Sequence, residues 1–96
     1  MIKKYENEKI EDLKGLYILD FYADWCGPCK MLGEVLKELK DVNILKINVD
    51  GEEELAKKYK VMSIPNLFIV KDGKVVKELI GFKPLEVLNQ ELEDLK

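Results

Sequence analysis

The 96-residue sequence contains no histidine and no arginine; all 16 of its basic residues are lysine. Without histidine there is no imidazole general base and no histidine-ligated metal site. Without arginine there is no bidentate guanidinium clamp on phosphate or carboxylate. Cysteine is scarce as well, at two residues. That is too few for the disulfide scaffold of a small secreted protein, and half the usual ligand set of a zinc or iron–sulfur site. No apolar run approaches the roughly 20 residues of a membrane span. The N-terminal lysines are not followed by an apolar stretch, so no secretory signal is expected. A formal net charge of −3 provides no broad basic surface for nucleic acid. These absences predict a cytoplasmic, monomeric protein with neither membrane nor nucleic acid as partner, in a compartment where two close cysteines serve catalysis or metal binding.

What remains is an ordinary globular composition, 47% apolar and 36% charged, without repeats or linkers, and residues 1–96 are expected to form one domain. Ile2 to Tyr5 suits a short edge strand, Glu8 to Leu13 a brief helix closed by Gly15, and Tyr17 to Tyr22 a central strand that is apolar on both faces. After the cysteines, Met31, Leu32, Val35, Leu36 and Leu39 fall on one face of a helix. Asn43 to Val49 is a second buried strand. Gly51 to Lys60 is a short helix with its acids first and its lysines last, as the helix dipole favours. Asp72-Gly73 between the apolar runs 66–70 and 75–80 marks a hairpin, whose second strand carries the charges Lys77 and Glu78 of a protected edge. Pro84 then opens a helix with Leu85, Leu88, Leu92 and Leu95 at helical spacing. The fold class is α/β: a central mixed sheet, with parallel strands first and an antiparallel hairpin last, and helices on its faces.

Both cysteines and the only tryptophan lie in one pentapeptide, Trp25-Cys26-Gly27-Pro28-Cys29, where the central strand turns into a helix. A first cysteine at a helix start lies near unpaired backbone N–H groups and the positive end of the dipole, which favour thiolate. Cys26 is therefore read as the attacking nucleophile. Cys29, one turn deeper and less accessible, is read as the resolving cysteine. Gly27 permits close approach of a substrate backbone. Pro28 suits a first helical turn but supplies no N–H to the thiolate. A spacer without histidine leaves the thiol pKa only modestly lowered and tilts the couple toward reduction. A structural disulfide would close too short a loop to restrict the unfolded chain much. A metal shared across a dimer through the pair stays open as an alternative.

Asp20 is an acid inside a buried strand, so it needs a partner or a role. Lost solvation raises its pKa, and its expected role is to accept the Cys29 proton as that thiol becomes the attacker. Lys46, the one charge within Ile44 to Ile47, either modulates Asp20 or snorkels to solvent; the residues alone leave both open. Pro65 suits a cis peptide in a tight turn, which would expose the Ile64 backbone for strand-like pairing with a substrate. Asn66 is read as local turn chemistry.

The stretch Asp20-Phe-Tyr-Ala-Asp-Trp-Cys-Gly-Pro-Cys-Lys30 closely resembles the thioredoxin family. Lys46 to Asp50, Ile64-Pro65, the Asp72-Gly73 turn and Gly81 all fall where that family has counterparts. The resemblance implies the thioredoxin fold and a protein-disulfide reductase that uses Cys26 and Cys29 as its redox pair and needs no cofactor beyond them. It implies Asp20 as the buried acid, Lys46 as its paired lysine, and Pro65 as the cis-proline. The substrate-facing rim it implies consists of Trp25, Gly27, Pro28, Ile64 and Gly81. The implied partners are a thioredoxin reductase and disulfide-containing client proteins. The sequence departs from the family at Tyr22, where tryptophan is common, at Glu34, in place of a helix-kinking proline, and at Asn66, in place of threonine. A glutaredoxin-like, glutathione-dependent enzyme is the alternative. The lack of arginine argues against it, as does Pro28, on the other side of the dipeptide from that family's usual proline.

Overall fold

The apolar run 16–22 forms the middle strand of a five-stranded sheet in the computed structural model, which describes residues 1–96. In chain order the elements are β1 (Ile2–Lys4), a 3-10 turn (Ile10–Asp12), β2 (Leu16–Tyr22), α1 (Gly27–Leu36), β3 (Asn43–Asn48), α2 (Glu53–Lys58), β4 (Asn66–Lys71), β5 (Lys74–Ile80) and α3 (Leu85–Glu93). The strand order is β1-β3-β2-β4-β5. β3 runs parallel to both β1 and β2, whereas β4 is antiparallel to β2 and to β5. The mixed sheet of the sequence reading is therefore present.

Alternation along β2 sorts the core into two layers, as period-two side-chain geometry requires. Leu16 and Ile18 join Ile44, Leu67, Ile69 and Leu79 against Leu32 and Leu36 of α1 and Leu88 and Leu92 of α3. Leu19 and Phe21 face the other way, with Leu45, Ile47, Phe68 and Val70, where α2 contributes Leu55 and Ala56 and the segment after it Tyr59. Phe21, Phe68 and Tyr59 stack edge-on or tilted with ring centroids 5.1 to 5.6 Å apart.

Three local expectations change. The helix expected over Glu8 to Leu13 is a single 3-10 turn anchored by buried Ile10, since so short a segment cannot repay helix nucleation. Met31 is exposed rather than in the core; the buried stripe of α1 runs through Cys29, Leu32 and Leu36, and Met31 lies one 100° step off it. Asn66 is not a turn residue. It opens β4, pairs with Phe21 and Ile80 on either side, and is 1% exposed.

The Asp72-Gly73 hairpin is clamped to the segment after the 3-10 turn. Gly15 N–H donates to Asp72 Oδ1 (2.8 Å), and Asp72 N–H donates to the Gly15 carbonyl (2.9 Å). Gly73 has φ +82°, and a Cβ there would lie 2.3 Å from the Glu11 carbonyl oxygen. Only glycine fits this position.

Candidate active site

Cys26 caps α1, and its Sγ accepts the Cys29 backbone N–H at 3.2 Å. Gly27 and Pro28 form the first turn, with open space around the Gly27 α-carbon. The two sulfurs are joined as a disulfide with a Cα–Cα distance of 5.2 Å. Cys29 is the less exposed of the two, as expected, but only narrowly: Cys26 is 5% exposed and Cys29 3%. Both cysteines are buried in one small cluster with Ala23, against which Tyr22, Val49 and Ile64 pack. What distinguishes them is the donor at Cys26 and their surroundings. Cys29, but not Cys26, lines a cavity of about 410 Å³ together with Tyr22, Gly33, Glu34, Lys37 and Lys46.

Asp20 is 1% exposed, near the carboxyl end of β2, where sites of α/β sheets gather. Burial pushes its carboxyl above the ordinary value, and the nearby Lys46 charge only partly opposes this. Lys46 stands directly across from it in the β2–β3 register, with Nζ 3.4 Å from Asp20 Oδ2. The two are not aligned for a hydrogen bond, so Oδ2 is a buried oxygen without a hydrogen-bond partner. Lys46 does not simply snorkel; its ammonium lies near the carboxylate and over the Tyr22 ring, 4.4 Å from the centroid.

On the other side of the dithiol, the Ile64–Pro65 bond is cis. Pro65 is held by Gly81, whose N–H donates to the Pro65 carbonyl at 2.8 Å, and Gly81 itself has φ +89°. Trp25 is 70% exposed, yet it is tethered by a hydrogen bond from Nε1 to Asp50 Oδ2 at 2.9 Å. Trp25, Val49, Ala56, Val61, Met62, Ser63 and Ile64 line an apolar groove of about 410 Å³. The expected rim residues come from three segments: Trp25 with Gly27 and Pro28 at the start of α1, Ile64 and Pro65 before β4, and Gly81 after β5. No cluster of three or more cysteine, aspartate or glutamate side chains is placed to hold a metal ion.

Known proteins share this frame. The thioredoxin family model matches residues 2–94. The chain belongs to the thioredoxin family. It is 49% identical to thioredoxin of Bacillus subtilis over 85 residues, covering 83% of this chain and 82% of that one. With thioredoxin of Staphylococcus aureus it shares 45% identity over 92 residues, covering 91% and 86%. In structure it is similar to a mutant thioredoxin from Halobacterium salinarum, with a TM-score of 0.88 and 33% identity over 98% of this chain and 89% of that one. The thioredoxin fold and the Cys26–Cys29 pair make this chain a thiol–disulfide oxidoreductase.

Sequence reasoning missed three groups near the site. Asp50 anchors Trp25; its signals in the sequence were its place at the end of the Lys46 to Asp50 stretch and the turn it forms with Gly51. Asn66 donates from Nδ2 to Glu78 Oε2 (3.1 Å) while its Oδ1 stays buried without a partner; this ties the strand that follows cis-Pro65 to the sheet edge. Met62, 92% exposed at the lip of the groove, follows no periodicity that would have marked it.

Proposed function

We propose that the chain reduces disulfides of client proteins, with Cys26 attacking and Cys29 resolving, and that a thioredoxin reductase returns it to the dithiol. The Cys26 thiolate attacks one sulfur of the client disulfide, forming a mixed disulfide and releasing the other client sulfur as a thiolate. Cys29 then gives its proton to Asp20, directly or through water, and its thiolate attacks Cys26 Sγ. The mixed disulfide breaks, the second client thiol leaves, and the Cys26–Cys29 disulfide closes. The client gains two electrons and the chain loses two, the two sulfurs carrying the whole electron transfer while Asp20 takes the proton. Lys46 moderates the basicity of Asp20.

The observation that best supports this order is the Cys29 N–H held on Cys26 Sγ at the α1 start. A donor and a helix N-terminus at one sulfur only favour negative charge there once the bond is reduced. The apolar groove beside Trp25 and the cis Ile64–Pro65 backbone suit an extended client segment. A reducing cytoplasm is the compartment in which a monomeric reductase of this kind would work. Catalytic amounts of the protein should accelerate reduction of a protein disulfide by a small dithiol; a rate equal to that of the dithiol alone would contradict the reading.

A further inference from the structure

Asp20, Tyr22 and Lys46 share the α1-facing side of the sheet. Tyr22 lies two residues beyond Asp20 on β2, and Lys46 lies across from Asp20 on β3. The Lys46 ammonium occupies a three-sided seat. Asp20 Oδ2 is at 3.4 Å and the Tyr22 ring centroid at 4.4 Å. On the third side, Gly33 of α1 has no side chain, and a Cβ there would lie 3.5 Å from Lys46 Nζ. The Lys46 side chain is 29% exposed, so open water competes with this seat. The ion pair at 3.4 Å leaves Oδ2 without a well-formed hydrogen bond. The ring face supplies a second attraction, from its negative quadrupole to the cation.

We propose that Tyr22 is a positioning residue: its ring holds the Lys46 ammonium beside Asp20 and thereby sets how readily that carboxyl takes up a proton. This rests on the reading of Asp20 as the proton acceptor for Cys29. The phenol itself stays neutral at working pH, because burial, with Asp24 and Asp20 nearby, pushes it above its ordinary value. The contact is therefore cation to ring and not cation to phenolate. The charged and titratable groups around the seat are Asp20 on β2, Asp24 after it, Lys46 on β3, and Lys30, Glu34 and Lys37 on α1; Cys29, also on α1, is held in the disulfide. Of these, Glu34 is paired with Lys37 (2.8 Å), leaving Lys46 as the cation seated on the carboxylate. Without the ring, the part-exposed ammonium is held beside Asp20 by the ion pair alone and is freer to leave it for open water. The carboxyl then becomes harder to ionise.

The test is a carbon-13 NMR titration of the Asp20 carboxyl in the disulfide form, which reads the group directly and independently of catalysis. Tyr22→Leu should raise the Asp20 midpoint by about half a pH unit, and Tyr22→Phe, which keeps the ring, should restore the wild-type midpoint. In a Lys46→Gln background, Tyr22→Leu should produce no further shift. An unchanged or lowered midpoint in Tyr22→Leu overturns the proposal, as does an equal shift in the Lys46→Gln background, which would place the effect on burial. If Tyr22→Leu does not fold, Tyr22→Trp presents a stronger ring face and should lower the midpoint; no shift or a rise overturns the proposal. Should disulfide reduction itself fail in the wild type while these shifts appear, the functional reading falls and the positioning of Lys46 stands.

Discussion

At the residue scale, the proposed chemistry rests on two sulfurs and one carboxyl. Cys29→Ser should accumulate a mixed disulfide with a client through Cys26, visible as a mass adduct that a small thiol removes. If Cys26→Ser were the variant that trapped clients, the roles would be reversed. Asp20→Asn should slow the resolving step most above neutral pH, where the carboxylate would otherwise take the proton; an unchanged pH–rate profile removes Asp20 from the mechanism. The same substitution has a stability signature whose sign follows from the raised carboxyl. A carboxyl that folding makes harder to ionise favours the folded state below its unfolded pKa, and that advantage is lost as pH rises through the folded value. Asp20→Asn should therefore gain stability relative to wild type as pH rises from the ordinary carboxylate range into neutrality, measured by urea unfolding at several pH values. A difference that does not vary with pH would mean Asp20 titrates normally. The burial of Asp20 and the place of the dithiol at the start of α1 were legible in the sequence, because a lone acid in an apolar strand and a C-x-x-C at a strand–helix junction each have a distinct local pattern. The near-equal burial of the two sulfurs was not. Position along a helix does not reveal that Tyr22, Val49 and Ile64, from three different segments, pack against the cluster that holds both cysteines.

At the scale of elements, the site is a meeting of loops that the sheet order brings together. β2 delivers Asp20 and then the dithiol, β3 delivers Lys46 and then Asp50, and β4 begins at the cis Ile64–Pro65 bond. Tethering of the Trp25 indole by Asp50 (2.9 Å) predicts a specific effect. Asp50→Ala should raise the KM for a protein disulfide roughly threefold, the worth of one exposed hydrogen bond, while leaving the reduction rate of a small aromatic disulfide unchanged. Equal losses on both substrates would assign Asp50 to the chemistry and not to the rim. Far from the site, Gly73→Ala should destabilise the fold by more than about 1 kcal/mol, because the left-handed backbone and the Glu11 carbonyl both reject a Cβ. A thermal midpoint equal to wild type would show that the hairpin and the 3-10 segment part easily. The Asp-Gly turn, the two-sided strands and the proline-led last helix were readable from local pattern. Asn66 was not, because a polar residue after proline has the local signature of a turn. Only the placement of β4 between β2 and β5 buries it and directs it to Glu78.

On the scale of the whole molecule, the two faces of the dithiol have different characters. One is the apolar groove beside Trp25 and Ile64, suited to a client segment. The other is the lysine-bordered cavity reached by Cys29 and Lys46, beneath which Asp20 lies. No helix is long and apolar enough to cross a membrane. The account's central claim is that this molecule donates electrons to disulfides, its Gly27-Pro28 spacer and the absence of histidine leaving the dithiol form without extra stabilisation. The reduction potential of the Cys26–Cys29 couple, measured by equilibration with a glutathione or dithiothreitol redox buffer, tests that claim most directly. A value near the about −270 mV known for thioredoxin, more reducing than the glutathione-dependent enzymes, is the predicted result. A value near the about −120 mV of strong disulfide oxidants would contradict it.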